Sequence, residues 1–496
     1  MSKDRRVLIV TKQRRELFLI YFGLALLMLA ALACGSSTTQ ELADASATTE
    51  PTQVVGESAA EVVEEETESS DVDTTPIASD ANATGVPEEP TIESTDVPEP
   101  TETPAISVEP VALVQQGFGQ DGRSASYGFV VENPNASYGF EDIGYQIAAL
   151  NAEGTIVDTD SGSITVLFPG QSVGVAGDLF VDEGVIIDAV EVQLSGGESQ
   201  ATEPLDNFTV ENISYVVGDF ATRVTGIVQS PFTRVFDDVR VSAILYGASD
   251  EIIGGGYTYV NFIPANSSTG VSVSVTVDGE VARAELYPIV SSLSLLTSES
   301  NVPADAELPQ LTSQGFGQNE FQSSFGLLIE NRSPGYAIEN SKYRVTAFDS
   351  DGTVVAAEEG YVELLLPGQT LGIGGDLFTA NDEVIDHVEG LFQAGVFVES
   401  AEIQAFTTEN VVFLPGDFSS EITGQVNNPI ASEITDLRVS ALAFDEGGNI
   451  IGGGYTFLDF LPASGSAAVS VSSAVTGTPA RVELYPTISG LSQIGQ

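Results

Sequence analysis

The chain has 496 residues, with 72 acidic side chains against 16 basic ones, one cysteine, one histidine and no tryptophan. A formal charge of −56 repels nucleic acid and anionic lipid head groups, so neither is expected as a partner. One histidine and one cysteine exclude Ser-His-Asp, Cys-His and His- or Cys-based zinc chemistry, and no cofactor or metal is expected.

The first elements form an export signal. Lys3, Arg5, Arg6, Lys12, Arg14 and Arg15 precede an unbroken apolar run from Leu17 to Ala33, the basic and apolar regions of a signal peptide over residues 1–33. The run is short for a membrane-spanning helix of about 20 residues. It ends in Ala31-Leu32-Ala33-Cys34, which resembles a bacterial lipobox, with Ala31 and Leu32 in the reverse of the usual order. The same tripeptide is an A-x-A site cut at the same bond by ordinary signal peptidase, and a retained anchor helix is the third alternative. The position of the single cysteine favours lipid attachment at Cys34. The resemblance implies a lipid-anchored protein on the extracytoplasmic face of the cell envelope.

Residues 34–110 are rich in Thr, Ser, Glu, Pro and Ala and hold no aromatic residue, Lys or Arg. Such a stretch cannot bury enough apolar surface to offset chain entropy, so a disordered acidic stalk is expected. As a flexible coil of about 75 residues it would average roughly 50 Å end to end.

Beyond Pro110 the sequence repeats. Gly117-Phe118-Gly119 recurs as Gly315-Phe316-Gly317, Gly177-Asp178-Leu179-Phe180 as Gly375-Asp376-Leu377-Phe378, and Glu285-Leu286-Tyr287-Pro288 as Glu483-Leu484-Tyr485-Pro486, all at an offset of 198. Within each half a strand, turn, strand, Pro order recurs after about 96 residues, ending at Pro134 and at Pro231. Four units in the order A, B, A, B follow, at 111–198, 206–295, 310–399 and 404–493. A Pro-containing linker from Thr297 to Pro309 is expected to separate the halves. Alternating runs such as LRVSALAF at 437–444, bounded by turn residues, predict an all-β fold of tandem antiparallel, immunoglobulin-like β-sandwiches.

The B units resemble the FxLyD domain, a small β-sandwich of bacterial envelope proteins. Gly424 and Val426 in the first strand, the Asn428 turn, the ALAFD run ending at Asp445, the glycine-rich hairpin and Pro462 carry the resemblance. The A units match more loosely, and Tyr246-Gly247 departs from the Asp of the motif. These are strand and turn residues, so the resemblance implies a fold and no activity.

Few residues point to chemistry. His387 has Ala189 at its equivalent position, which reads as a surface residue. Only carboxylates remain for catalysis. A glycosidase needs two of them flanking a cleft, and the repeated acids Glu132 with Glu330, Asp178 with Asp376 and Asp219 with Asp417 read as turn formers beside Gly or Asn. Gly254-Gly255-Gly256 and Gly452-Gly453-Gly454 precede an aromatic strand, not a helix or a lysine, and read as a bulge or close backbone contact rather than a phosphate cradle. Asp349-Ser350-Asp351-Gly352 lacks the Glu that completes a calcium loop and reads as a hairpin turn. The loops at 133–139 and 331–337 place Tyr138 and Tyr336 among polar turn residues, where an aromatic either stacks on a ligand or folds back on the sandwich edge. The expectation is a non-catalytic surface module for binding, adhesion or scaffolding, with an envelope glycan or surface protein as partner. The alternative is a carboxylate-dependent hydrolase of envelope polysaccharide.

Overall fold

The computed structural model describes residues 108–203, 205–218, 222–294, 301–380, 383–400, 404–416 and 418–495, and no α-helix occurs among them. The leader, Cys34 and the stalk up to residue 107 lie outside the described residues, as do Asp219 and Asp417.

The strands fall into four successive sets. The first, A1, holds β1 (Ala112–Asp121), β2 (Ser124–Glu132), β3 (Tyr138–Leu150), β4 (Ile156–Leu167), β5 (Ser172–Phe180), β6 (Ala189–Leu194) and β7 (Glu198–Ala201). They pair as two antiparallel sheets, β1-β2-β5 and β4-β3-β6 with β7 beside β3. The second, B1, holds β8 (Thr209–Val217), β9 (Thr222–Gln229), β10 (Phe236–Tyr246), β11 (Ile252–Ile263), β12 (Ser268–Ser274), β13 (Thr276–Val277) and β14 (Arg283–Ile289). Its sheets are β12-β9-β8 and β13-β11-β10-β14. The third, A2, repeats the A1 order with β15 (Gln310–Gln318), β16 (Ser323–Glu330), β17 (Tyr336–Phe348), β18 (Val354–Leu365), β19 (Thr370–Leu377), β20 (His387–Gln393) and β21 (Val396–Glu399). The last, B2, comprises β22 (Thr407–Leu414), β23 (Ser420–Asn427), β24 (Ile434–Phe444), β25 (Ile450–Leu461), β26 (Ser466–Val475), β27 (Arg481–Thr487) and β28 (Gln493–Ile494). Here β26 is unbroken and pairs with both β23 and β25, so the two sheets run into one.

Sequence alternation explains the layers. In β10, Val239, Val241, Ala243 and Leu245 enter the core of B1, while Ile244 and Tyr246 on the other face enter a second apolar cluster with Val130 and Ala176 of A1. A strand buried on both faces reads as a nearly continuous apolar run, which is why LRVSALAF and its counterpart look so uniform. Turns are fixed by short polar side chains. Asp349 Oδ1 accepts from the amides of Asp351 and Thr353, and Gly352 takes a left-handed φ of 79°, so this segment is a hairpin turn.

Gly-rich strands let A and B lie face to face. A Cβ on Gly117 would fall 2.3 Å from the Ile252 carbonyl oxygen, one on Gly315 2.2 Å from that of Ile450, and one on Gly453 2.1 Å from that of Phe325. Within the triple glycines Gly453 makes such a contact with the neighbouring sandwich, while Gly254, Gly256, Gly452 and Gly454 clear the carbonyls of Thr276, Ser274, Ala474 and Ser472 in their own unit, with a bulge beside them at Leu245/Tyr246 and Ala443/Phe444. Buried serines cross the same contact: Ser126 Oγ donates to Thr276 O and accepts from Gly255 N, and Ser324 Oγ does the same with Ala474 O and Gly453 N.

The two halves are not held apart. The outer sheet of B1 and strand β11 pack on β17 and β18 of A2, so the halves on either side of the Thr297 to Pro309 segment are in contact. This contact is polar and keyed by cations. Arg344 Nε donates to Thr269 Oγ1 and its Nη2 to Gly270 O, both at 2.9 Å, and its Nη1 pairs with Glu359. Lys342 Nζ donates to Asn261 O at 3.0 Å and lies 3.4 Å from Asp237, while Arg223 reaches Glu383 at 2.5 Å.

Candidate functional site

The loops carrying Tyr138 and Tyr336 open β3 and β17 and are pinned from beneath. Asn133 Nδ2 donates to the carbonyls of Tyr138 and Phe168, and Asn331 Nδ2 to those of Tyr336 and Leu366. Both tyrosines are half-buried. Tyr336 stands edge-on to Phe397 at 6.4 Å and donates its hydroxyl to Asp305 at 2.9 Å, a hydrogen bond that raises its pKa. Packing and hydrogen bonding thus engage both the Tyr336 ring and its hydroxyl.

A second constellation recurs in both halves where the A and B sheets diverge. In the first half, Tyr257 and Tyr259 project from β11 with ring centroids 5.9 Å apart, each 38% exposed. Arg240 of β10 lies over the Tyr257 ring at 4.3 Å and crosses to A1, donating to Ala176 O at 2.5 Å and to the Tyr145 hydroxyl at 3.3 Å. Asp178 and Asp160 stand close enough to push the Tyr257 hydroxyl up, behind the larger effect of burial. In the second half, Tyr455 and Phe457 repeat the pair at 5.9 Å, and Arg438 lies 4.4 Å over Tyr455 while donating to Gly374 O at 3.0 Å.

The acids beside these rings differ from expectation. Asp178 lies inside β5 and Asp376 inside β19, in strands rather than turns, which corrects their assignment as turn formers. The GDLF pattern misleads because Gly177 and Gly375 serve to clear the rings of Tyr127 and Phe325, not to bend the chain. Burial pushes both carboxyls above the ordinary aspartate range; at Asp178 the Arg240 charge opposes this and Asp160 adds to it. Glu132 and Glu330 end β2 and β16, next to the pinned Asn turns.

The two copies are not equivalent. Tyr127 donates to Asp160 Oδ2 at 2.7 Å. At the corresponding positions stand Phe325, which has nothing to donate, and Glu358. Burial, then Glu359 and Asp376, push the Glu358 carboxyl up to about 7, against the opposing pull of Arg344 and Arg223. His387 is exposed at the start of β20, stacked on Phe348 at 5.0 Å, with Asp386 3.1 Å from Nδ1.

Sequence reasoning missed the aromatic pairs, the arginines under them and the Asp160/Glu358 position. One signal could have found them. Only ten basic residues follow the leader, and among these only Arg240 with Arg438 and Arg283 with Arg481 recur at the repeat offset. A rare cation kept at both copies marks a place where charge is needed. A scan against protein-family models finds no match, and a search of curated proteins finds no relative.

Proposed function

We propose that the protein is a non-catalytic, lipid-anchored module of the extracytoplasmic face, whose sandwich stack presents paired aromatic and acidic patches to an envelope glycan. Exposed apolar rings ordinarily cost free energy in water, and a tyrosine ring backed by a guanidinium with a second ring edge-on beside it, as at Tyr257 with Tyr259 and Tyr455 with Phe457, offers stacking surface and a hydroxyl together. The observation that carries the reading is the recurrence of this arrangement at Tyr257/Tyr259 and Tyr455/Phe457, because two copies on one body multiply a weak interaction. Lipid attachment at Cys34, the stalk and the FxLyD likeness of the B units belong to the same proposal. They rest on the sequence pattern of residues 1–110 and of the B-unit strands.

One observation favours the second reading, hydrolysis of such a polysaccharide. Glu358, its carboxyl pushed up to about 7, has Asp376 near enough to add to that rise, the chemistry of a general acid with a second carboxyl. The test uses the full-length protein on a glycan array and on envelope extracts, with mass spectrometry of its N-terminus. The expected results are an acylated Cys34 and a glycan signal weakened about tenfold by Tyr455→Ala with Phe457→Ala. Tyr138→Ala with Tyr336→Ala is the comparison: if that pair alone abolishes binding, the ligand lies on the loops. Glycan cleavage that disappears in Glu358→Gln and Asp376→Asn would establish the hydrolase instead.

A further inference from the structure

Side-chain hydrogen bonds gather loops of all four units along one edge of the described body. In A1, Gln120 ties the β1–β2 turn to the loop after β5, donating to Val185 O and accepting from Ile187 N. A Cβ on the neighbouring Gly119 would lie 3.0 Å from Asp278 N of B1, so this turn abuts the segment that follows β13. Gln318 repeats the arrangement in A2, donating to Glu383 O and accepting from Ile385 N. Glu383 in turn pairs with Arg223, near the start of β9 in B1. On the other side, Gln318 N donates to Thr476 Oγ1 and Asn319 Nδ2 to Phe418 O, both in B2.

The loops on this edge present apolar side chains to water. Phe321 and Phe418 are 57% and 68% exposed and lie against each other, with ring centroids 4.9 Å apart. Phe378, directly after the last β16–β19 pair of Ser323 with Leu377, is 69% exposed, and Val384, beside Glu383, 71%. Their A1 equivalents, Phe180 and Ile186, are exposed as well. One exposed apolar side chain is ordinary. Four on adjoining loops, with two of them repeated in the other half, mark an interaction surface.

Charge decides what covers it. Exposed carboxylates stand beside the apolar groups: Asp182 and Glu183 after Phe180, Glu320 before Phe321 and Asp386 after Val384. Entry into a lipid interior would strip these acids of water, and a second copy would bring the same charge to the contact. The nearby cations are already engaged, Arg223 with Glu383 and Arg123 with the Val181 carbonyl. We propose that this edge binds a cationic amphipathic polypeptide segment. Its apolar side chains rest on Phe321, Phe418 and Phe378, and its lysines or arginines lie among the flanking carboxylates. Phe180 and Ile186 give a second foothold of the same chemistry in A1. The surface shares no residue with the aromatic pairs of β11 and β25, so it does not depend on glycan binding.

The experiment is biolayer interferometry on the full-length protein in nanodiscs of zwitterionic lipid, with empty discs as the blank. The probes are a synthetic amphipathic helix of leucine and lysine, the same pattern in leucine and glutamate, and the same pattern in serine and lysine. The leucine and lysine helix is expected to bind and the leucine and glutamate helix not to, while the serine and lysine peptide binds about tenfold more weakly. Phe321→Ser with Phe418→Ser is expected to weaken the first probe about tenfold. Phe460→Ser, which removes a similarly exposed ring at the C-terminal end of β25, leaves it unchanged. The acidic segment at 34–107 attracts both lysine probes alike, so the two variants isolate the contribution of the edge. Circular dichroism and the melting curve of each variant show whether its fold is intact. The proposal is overturned if the leucine and lysine helix does not bind, if the serine and lysine peptide binds as tightly, or if the folded Phe321→Ser, Phe418→Ser protein binds like the wild type. Self-association in sedimentation that this double change abolishes would assign the edge to a second copy instead; the glycan array is read independently.

Discussion

Glu358 shows how burial beside other carboxylates sets a pH dependence. Its folded-state carboxyl titrates near 7 against an ordinary value of 4.5, so the fold binds its proton more tightly than the unfolded chain does. Below about pH 4.5 both states are protonated and nothing is lost; as pH rises through about 7 the folded state must ionise a buried acid. The stability lost over that window is no more than about 3 kcal/mol. Asp178, Asp238, Glu363 and Asp376 are shifted in the same direction by burial, so the whole protein is expected to melt at a higher temperature at pH 5 than at pH 8. Glu358→Gln should raise the melting temperature at pH 8 and leave it nearly unchanged at pH 4.5. Parallel curves for wild type and variant would show that Glu358 is not the group responsible.

At the scale of elements, glycine decides whether two strands touch. Gly453→Ala would place its Cβ 2.1 Å from the Phe325 carbonyl oxygen, a clash with backbone that no rotamer relieves. A loss of about 1–3 kcal/mol is expected by denaturant unfolding. Gly196 has open space around it and no left-handed φ, and Gly196→Ala should stay within about 0.5 kcal/mol. This contrast also marks what was legible in the sequence. Strand periodicity, turn chemistry and the 198-residue repeat are local or self-comparing signals, and they gave the all-β sandwiches directly. That the triple glycines approach other backbone was readable from the absence of a helix start or lysine. Which backbone they approach was not, because Gly453 meets a residue over a hundred positions away. The aromatic patches stayed hidden for the same reason: Tyr257 and Tyr455 sit in strands that look like any amphipathic strand, and their acids come from a different sandwich.

Across the whole described body, the scarce cations are concentrated at contacts between sandwiches. Arg240 and Arg438 cross from B to A within each half, and Arg223, Lys342 and Arg344 join B1 to A2. In so acidic a chain these positions oppose the mutual repulsion of the units. Arg344→Ala would strip Glu359 of its charge partner, leaving the Asn261 amide on it, and remove the guanidinium donors to Thr269 Oγ1 and Gly270 O, at a cost of about 3–5 kcal/mol. Differential scanning calorimetry is expected to show the halves melting separately in this variant and more nearly together in the wild type. Arg332→Ala removes only an exposed pair with Glu330 and should cost less than about 1 kcal/mol; equal effects of the two would refute the keyed contact.

The contact between B1 and A2 is also an address that is written once. At the far face of B2 the equivalents of Arg223, Asn261 and Thr269 are Glu421, Asp459 and Ala467, and on the matching face of A1 those of Lys342, Arg344 and Thr346 are Gly144, Gln146 and Ala148. A second chain offering its A1 face to B2 would find no guanidinium, no ammonium and no matching acceptor there. The residues that key B1 to A2 are therefore not repeated on the equivalent faces of B2 and A1, so this contact joins the two halves of one chain and is not offered in the same form to a second copy.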